Sequence, residues 1–271
     1  MLGQLNIYGK DKVEVAIELL RMFEPPEGYY LAFSGGKDSI CIYYLAKMAG
    51  VSFTAHHNHT TVDPPELVRF VRSFPDVQIN YPEKTMWQLI IENKVPPTRL
   101  MRYCCSALKE RGGQGRIVVT GVRWAESANR RSKRHAVEFD VYGSKSKEAN
   151  KRREIFLLSD NDEKRRMIEN CQVQGKHVIN PIINWTDADV WEFIRANNLP
   201  YCRLYDEGFK RLGCIGCPQK GKKGMLRDFV RWPKYKDAYL RTFERMLKSR
   251  NCDNDGWKTA EEVFNWWVNG A

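Results

Sequence analysis

Tyr29-Tyr30-Leu31-Ala32-Phe33-Ser34-Gly35-Gly36-Lys37-Asp38-Ser39 sets an apolar run directly against a glycine-rich polar loop, and Ile40 to Met48, which follows, is almost wholly apolar. Such a pattern reads as buried strand, tight loop, buried helix. The carboxyl end of a strand meeting the start of a helix is where an open α/β sheet binds its ligand. Gly35 and Gly36 let the backbone approach an anion closely, and the N–H groups of a first helical turn point toward it. Ser34, Ser39 and Lys37 add hydroxyl and ammonium donors, so an α- or β-phosphate can be held from several directions. Asp38 is placed to orient the loop or to help hold Mg2+. An ordinary strand-to-helix turn does not ask for two serines, a lysine and an aspartate in this order. The spacing before the lysine is too short for a Walker A loop.

Outward from this loop, further strands are expected at Val51 to His56, Val77 to Tyr81, Ile117 to Val122 and Val178 to Ile183, with helical patterns at Pro65 to Ser73 and Lys84 to Glu92. Strands alternating with helices imply an α/β fold, a Rossmann-like parallel sheet with helices on both faces. Thr186 with Asp189 can cap a helix running through Asn197, and Thr259 with Glu262 forms a capping box for a last helix ending near Gly270. Gly224 to Ser249 reads as helical, kinked or interrupted at Pro233. The expected organisation is a nucleotide-binding α/β domain over 1–195 and a helical region with a cysteine loop over 196–271, the two sharing a metal site.

The 271 residues are 42% hydrophobic, enough for a sizeable core, and carry a formal charge of +11. Residues 130 to 166 hold twelve Lys/Arg against seven Asp/Glu, and residues 203 to 234 hold nine against three. An anionic partner is favoured, from a small nucleotide to a nucleic acid; a solvated surface would give the same runs. Arg130 to Arg153 is the best candidate for a mobile surface segment. The start of the chain lacks a basic stretch followed by an apolar run, and no stretch approaches a membrane span, so the expectation is a cytoplasmic protein with no membrane contact.

Eight cysteines in such a compartment point to metal or redox chemistry before disulfides. Cys104-Cys105 and Cys214-Ile215-Gly216-Cys217-Pro218 supply four thiolates in two pairs. Zn2+ and a 4Fe-4S cluster both accept four cysteines, and adjacent cysteines tilt the choice toward a cubane, whose iron corners are separate. Cys41, inside the apolar helix, reads as a small core residue, and Cys171 and Cys202 receive no role. Gly121-Val122-Arg123-Trp124-Ala125-Glu126-Ser127 follows a strand and leads into Arg130, Arg131 and Arg134; a glycine at a strand end beside an arginine suits nucleotide contact. Thr60, Thr61 and Asp63 end the second strand and can reach an adenosine from the sheet's rim. His56, His57 and His59 read as ordinary polar residues, since their spacing is compatible with different faces of a strand and turn. Lys109, four residues after Cys105, faces the cysteines or the phosphates if helical, and is otherwise an exposed lysine.

The loop Ser34 to Ser39 resembles that of the adenine-nucleotide α-hydrolase, or ATP pyrophosphatase, superfamily, which implies cleavage or transfer at the α-phosphorus. The Cys-Cys pair followed about a hundred residues later by Cys-x-x-Cys, within Arg-Tyr-Cys-Cys-Ser-Ala-Leu-Lys and Gly-Phe-Lys-Arg-Leu-Gly-Cys-Ile-Gly-Cys-Pro, resembles the cluster-binding pattern of adenylylsulfate and phosphoadenosine phosphosulfate (PAPS) reductases. A related pattern occurs in the ATP pyrophosphatase of bacterial DNA phosphorothioation. The resemblance runs from about Tyr29 to Pro218. It implies a cluster on Cys104, Cys105, Cys214 and Cys217, catalytic roles for Lys37, Asp38 and Arg123, and a nucleotide pocket including Ser34, Gly35, Gly36, Ser39, Thr61, Gly121, Glu126, Ser127 and Arg131.

The chain departs from the reductases in two places. They carry a Glu-Cys-Gly-x-His tail, whereas this sequence ends Asn-Trp-Trp-Val-Asn-Gly-Ala, with Cys252 its one late cysteine and no flanking Glu or His. Its Ser-Gly-Gly-Lys-Asp-Ser loop is closer to the ATP-cleaving members. The leading expectation is therefore ATP-dependent sulfur transfer with release of AMP and pyrophosphate, a sulfur donor, and a tRNA or DNA acceptor. The alternatives are reduction of PAPS or adenylylsulfate with a thiol-reductant protein, and a non-catalytic nucleotide-binding module with a structural metal. A homo-oligomer is compatible with all three.

Overall fold

A computed structural model describes residues 3, 9–110, 112–138, 177–249 and 256–270. Cys171, Cys252 and the basic span beyond residue 138 lie outside the described residues. The opening apolar run forms β1 (Tyr29–Ala32), with Tyr29, Tyr30 and Leu31 buried, as a strand covered on both faces requires. It pairs in parallel with β2 (Phe53–Asn58). After β3 (Val77–Asn80), the chain returns to pair β4 (Ile117–Val119) in parallel along the other edge of β1. The two-residue β5 (Val137–Glu138) runs antiparallel to β6 (His177–Ile179), which is parallel to β4. The sheet order β3-β2-β1-β4-β6-β5 reverses between β1 and β4, so the loop leaving β1 sits at the topological switch point.

Ten α-helices accompany these strands among the described residues: α1 (Lys12–Met22), α2 (Lys37–Ala49), α3 (Pro65–Arg72), α4 (Met86–Asn93), α5 (Tyr103–Leu108), α6 (Ala128–Lys133), α7 (Asp187–Ala196), α8 (Gly221–Arg231), α9 (Pro233–Ser249) and α10 (Ala260–Gly270). Apolar side chains of α2 are buried around most of its circumference, which accounts for its nearly continuous apolar sequence. Its last turn closes on Gly50, whose φ of +71° suits a helix C-terminus. The expected cap of α7 is present, Thr186 accepting from the Asp189 amide and the Asp189 carboxylate accepting from the Thr186 amide. Pro233 does interrupt the long helical pattern, standing as the first residue of α9, where its missing N–H costs nothing.

The chain divides into two interleaved units, 1–56 with 75–78 and 112–201, and 57–74 with 79–111 and 202–271. The last crossing, at 201/202, lies near the boundary expected at 195. The His57 and Cys-Cys segments fall in the second unit instead of the first. In that unit Phe229, Tyr239, Phe243, Phe264 and Trp267 form a buried aromatic cluster across α8, α9 and α10. Large buried rings of this kind carry much apolar area into a core.

Candidate functional site

In the first unit, Gly35 takes a φ of +75°, and Gly36 caps α2, so Lys37, Asp38 and Ser39 form its first turn. The Ser39 hydroxyl donates to the Gly36 carbonyl at 2.8 Å, and the Ser34 and Ser39 hydroxyls lie 3.2 Å apart. Lys37 is only 6% exposed although it opens a helix. A lysine so deep in the protein requires anions, and two carboxylates meet it: Asp38 at 3.5 Å and Asp187 at 3.3 Å.

Arg123 organises this group. It is 2% exposed, donating from Nε to Asp38 Oδ1 at 2.6 Å, from Nη2 to Asp187 Oδ1 at 2.7 Å and from Nη1 to the Trp185 carbonyl at 3.1 Å. The planar guanidinium thereby ties the first turn of α2 to the first turn of α7. Gly121 explains how the strand-end segment comes so close: a Cβ there would stand 3.0 Å from the Asp38 carbonyl carbon and oxygen. This also ends β4 at Val119, short of the expected Val122, because the chain turns away to pass over α2.

Asp187 is the residue the sequence reading missed. Its side chain is 73% exposed; partial burial pushes its carboxyl up, but Arg123 and Lys37 outweigh this and hold it below the usual range. The visible signal was its place at the first turn of a capped helix, where a carboxylate is also favoured by the helix dipole. The other expected pocket residues split into two groups. Glu126 accepts from the Arg123 amide at 3.2 Å and is ion-paired with Arg130, while Ser127 caps α6 by accepting from the Arg130 amide. Arg131 is exposed on α6. Thr61 belongs to the second unit, where it adopts a φ of +65° and accepts from the Met86 amide at 3.0 Å. A β-branched residue in that conformation is strained by about 1–3 kcal/mol.

All four expected metal cysteines fall in the second unit and line one cavity with Thr60 and Lys109. Cys104 and Cys105 lie on α5; Cys105 is the more acidic, favoured by the Cys104 thiol first and by Arg102, whose Nη2 donates to its Sγ at 3.5 Å. Cys214 is buried, which pushes its thiol up, and its Sγ donates to Thr60 Oγ1 at 3.4 Å. Lys109 is exposed to solvent yet lines the same cavity, and negative charge at Cys214 above all pushes its pKa up. Lys109 thus faces the cysteines. Cys41 is a buried core residue whose thiol burial pushes up strongly, and Cys202 is buried too.

The loop carrying Cys214 and Cys217 is fixed by its backbone. Gly216 has a φ of +71°, its amide donates to Asp228 Oδ2 at 3.0 Å, and Tyr239 donates to the Ile215 carbonyl at 3.0 Å. A Cβ on Gly216 would meet Phe229 Cζ at 2.7 Å and Trp267 Cη2 at 3.0 Å. Gly216→Ala is therefore expected to destabilise the second unit by about 2–4 kcal/mol, combining a left-handed backbone with overpacking. Urea unfolding followed by tryptophan fluorescence checks this, and an unchanged midpoint would contradict it.

A model of the phosphoadenosine phosphosulfate reductase domain matches residues 28–220, a span holding the Ser34 loop and both cysteine pairs. The chain belongs to that family. An uncharacterized protein of Methanocaldococcus jannaschii is 27% identical over 218 residues, covering 79% of this chain and 47% of the relative. Adenosine 5'-phosphosulfate reductase of Neisseria meningitidis is 49% identical over 59 residues, 22% of this chain and 24% of that protein. The chain thus spans about half the length, or less, of these curated relatives. Among solved structures, phosphoadenylyl-sulfate reductase of Candida auris aligns over 73% of this chain and 87% of its own, with 18% identity and a TM-score of 0.47. No helix among the described residues is long and apolar enough to cross a membrane.

Proposed function

We propose that this chain is an adenine-nucleotide-dependent iron-sulfur enzyme that cleaves ATP at its α-phosphorus and transfers sulfur to an acceptor. The observation that carries the reading is the intact Ser34 to Ser39 loop, with Lys37 in the first turn of α2 and Arg123 braced against Asp38 beside it. Two such cations at a helix N-terminus on a topological switch point suit polyphosphate. The nucleotide would lie with its α- and β-phosphates along the loop. An acceptor oxygen attacks the α-phosphorus, the bond to the β-phosphate oxygen breaks, and pyrophosphate leaves with the electron pair, its charge offset by Lys37. A sulfur nucleophile then attacks the adenylylated carbon, the carbon–oxygen bond breaks, and AMP departs.

Asp38 does not fit a resident Mg2+, since Arg123 donates to one of its oxygens and Lys37 lies near the other. On this reading magnesium arrives on the nucleotide's phosphates. The thiols do fit a cluster. A zinc ion with four thiolates at about 2.3 Å needs its sulfurs about 3.8 Å apart. All four thiols line one cavity, and the adjacent pair suits the separate iron corners of a 4Fe-4S cubane held by Cys104, Cys105, Cys214 and Cys217, which when bound would supply a site for carrying sulfur. A basic surface would suit a tRNA or DNA acceptor.

The local likeness to the Neisseria reductase favours a second reading, thiol-dependent reduction of adenylylsulfate or PAPS to sulfite. Incubation of the anaerobically purified protein with ATP and magnesium, and separately with each sulfonucleotide plus a dithiol, separates the two. AMP and pyrophosphate from ATP are the expected products. Sulfite release without ATP cleavage would replace this reading by the second, and tight nucleotide binding without turnover would replace both by a non-catalytic module.

A further inference from the structure

The second unit holds another constellation of metal-binding side chains, and the cysteines take no part in it. His57 is the penultimate residue of β2 and His59 lies one residue past its end, and both rings reach the same carboxylate, Asp63. His56 points the other way, its ring stacked on Tyr30 with centroids 4.0 Å apart. The strained turn at Thr60 and Thr61 then brings Asp63 back beneath the histidines. Its Oδ2 accepts from the Thr60 amide at 2.7 Å, and its backbone carbonyl accepts from the Tyr235 hydroxyl at 3.2 Å.

We propose that His57, His59 and Asp63 form a mononuclear divalent-cation site, of zinc type, separate from the four-cysteine site. His59 Nδ1 lies 3.1 Å and His57 Nε2 lies 3.9 Å from Asp63 Oδ2, and one ligand atom from each residue falls within 4.8 Å of the other two. In a tetrahedral site with zinc bonds of about 2.0–2.2 Å to nitrogen and oxygen, neighbouring ligand atoms stand about 3.3–3.5 Å apart. The two separations to Asp63 Oδ2 bracket that value, and the third pair also lies within 4.8 Å, so side-chain adjustment without backbone movement can close the site. Among the described residues this is the set of His, Cys, Asp or Glu ligands that meets the spacing of a single ion.

Two histidines and one carboxylate leave a fourth position open to water or an exogenous ligand, as in catalytic rather than structural zinc sites. His57 and Asp63 are buried, while the His59 side chain keeps 21% of its surface and gives the ion a way in. The charge of Lys109 also acts on Asp63, so the ion shares that carboxylate with an ammonium, which holds affinity below that of a closed structural site. The inference stands whether or not the nucleotide and cluster readings hold.

The test loads the full-length protein, purified without oxygen and still holding whatever iron it carries, with zinc alone after chelator dialysis. Elemental analysis should find about one zinc per chain beyond any iron, and X-ray absorption should show nitrogen or oxygen neighbours at about 2.0–2.1 Å without a sulfur shell at about 2.3 Å. His59→Gln should lose at least tenfold in zinc affinity, with iron content and metal-free melting temperature unchanged. His57→Gln is the second variant, should His59→Gln fold poorly. No zinc retained by the wild type, a sulfur shell, or full zinc affinity in both variants would overturn the proposal.

Discussion

Arg123→Ala is expected to lower the unfolding free energy of the first unit by about 3–5 kcal/mol, the range found when one partner of a buried ion pair is removed. The arginine is 2% exposed and serves acceptors in the first turns of α2 and α7 and at the Trp185 carbonyl, so alanine leaves the partly buried Asp38 and the Trp185 carbonyl short of a donor. Lys37 cannot replace it, standing 3.5 Å from Asp38 and 3.3 Å from Asp187 with one ammonium to share. Arg123→Lys should recover only part of the loss, because an ammonium on a flexible stem cannot reproduce a planar fork serving three directions. Asp187→Asn should cost under about 1 kcal/mol, since its carboxylate is largely solvated. Denaturant unfolding of the three variants gives the ranking; equal midpoints for Arg123→Ala and Asp187→Asn would mean that Arg123 does not join α2 to α7. If the nucleotide reading also holds, Arg123→Ala loses nucleotide turnover by far more than Asp187→Asn does.

The loop that carries Lys37 was legible because a single short stretch contains the strand, the glycines and the helix it starts. Arg123 was legible as a candidate for the same kind of reason, a glycine beside an arginine at a strand's end. Its two carboxylate partners, 85 and 64 residues away, were not. Asp187 lies in a helix cap whose sequence signal, Thr186 with Asp189, explains the cap completely and says nothing of the neighbour between them. Long-range pairing of this kind is set by how β1, β4 and β6 line up in the sheet, and no local pattern encodes that.

The histidines depend on long-range structure in another way. A His-x-His at a strand's end carries the right period for one face, but the third residue, Asp63, is reached only through a turn in which Thr61 takes a left-handed conformation unfavourable for a β-branched side chain. Sequence preference argues against such a turn, and contacts elsewhere in the second unit hold it: Met86 donates to the Thr61 hydroxyl and Ile215 donates to the Val62 carbonyl at 2.8 Å. Helix α1 was missed for a simpler reason, since few of its residues are buried and its apolar stripe is narrow. Its Asp11-x-x-Glu14 capping box was the available signal.

Cys214→Ser with Cys217→Ser is expected to take iron from about four per chain to near zero, if the cubane assignment is right. Cys214 is buried and its sulfur meets Thr60, so a serine there is close to isosteric and spares the packing while removing the thiolate. The loop itself is held independently, by Gly216 on Asp228, Lys220 on Asp228 at 2.6 Å, and Tyr239 on Ile215. The double variant should therefore remain folded, with a far-ultraviolet circular dichroism spectrum like the wild type's, and, if the nucleotide reading holds, should bind nucleotide within about threefold of the wild type, since Ser34 to Ser39 and Arg123 are untouched. Cys41→Ser and Cys202→Ser, at buried cysteines outside the cavity, should leave iron unchanged. Full iron retention in the double variant would remove the cluster from these four residues. A colourless wild type holding one zinc with four sulfur neighbours would instead turn the cysteine cavity into a structural knot.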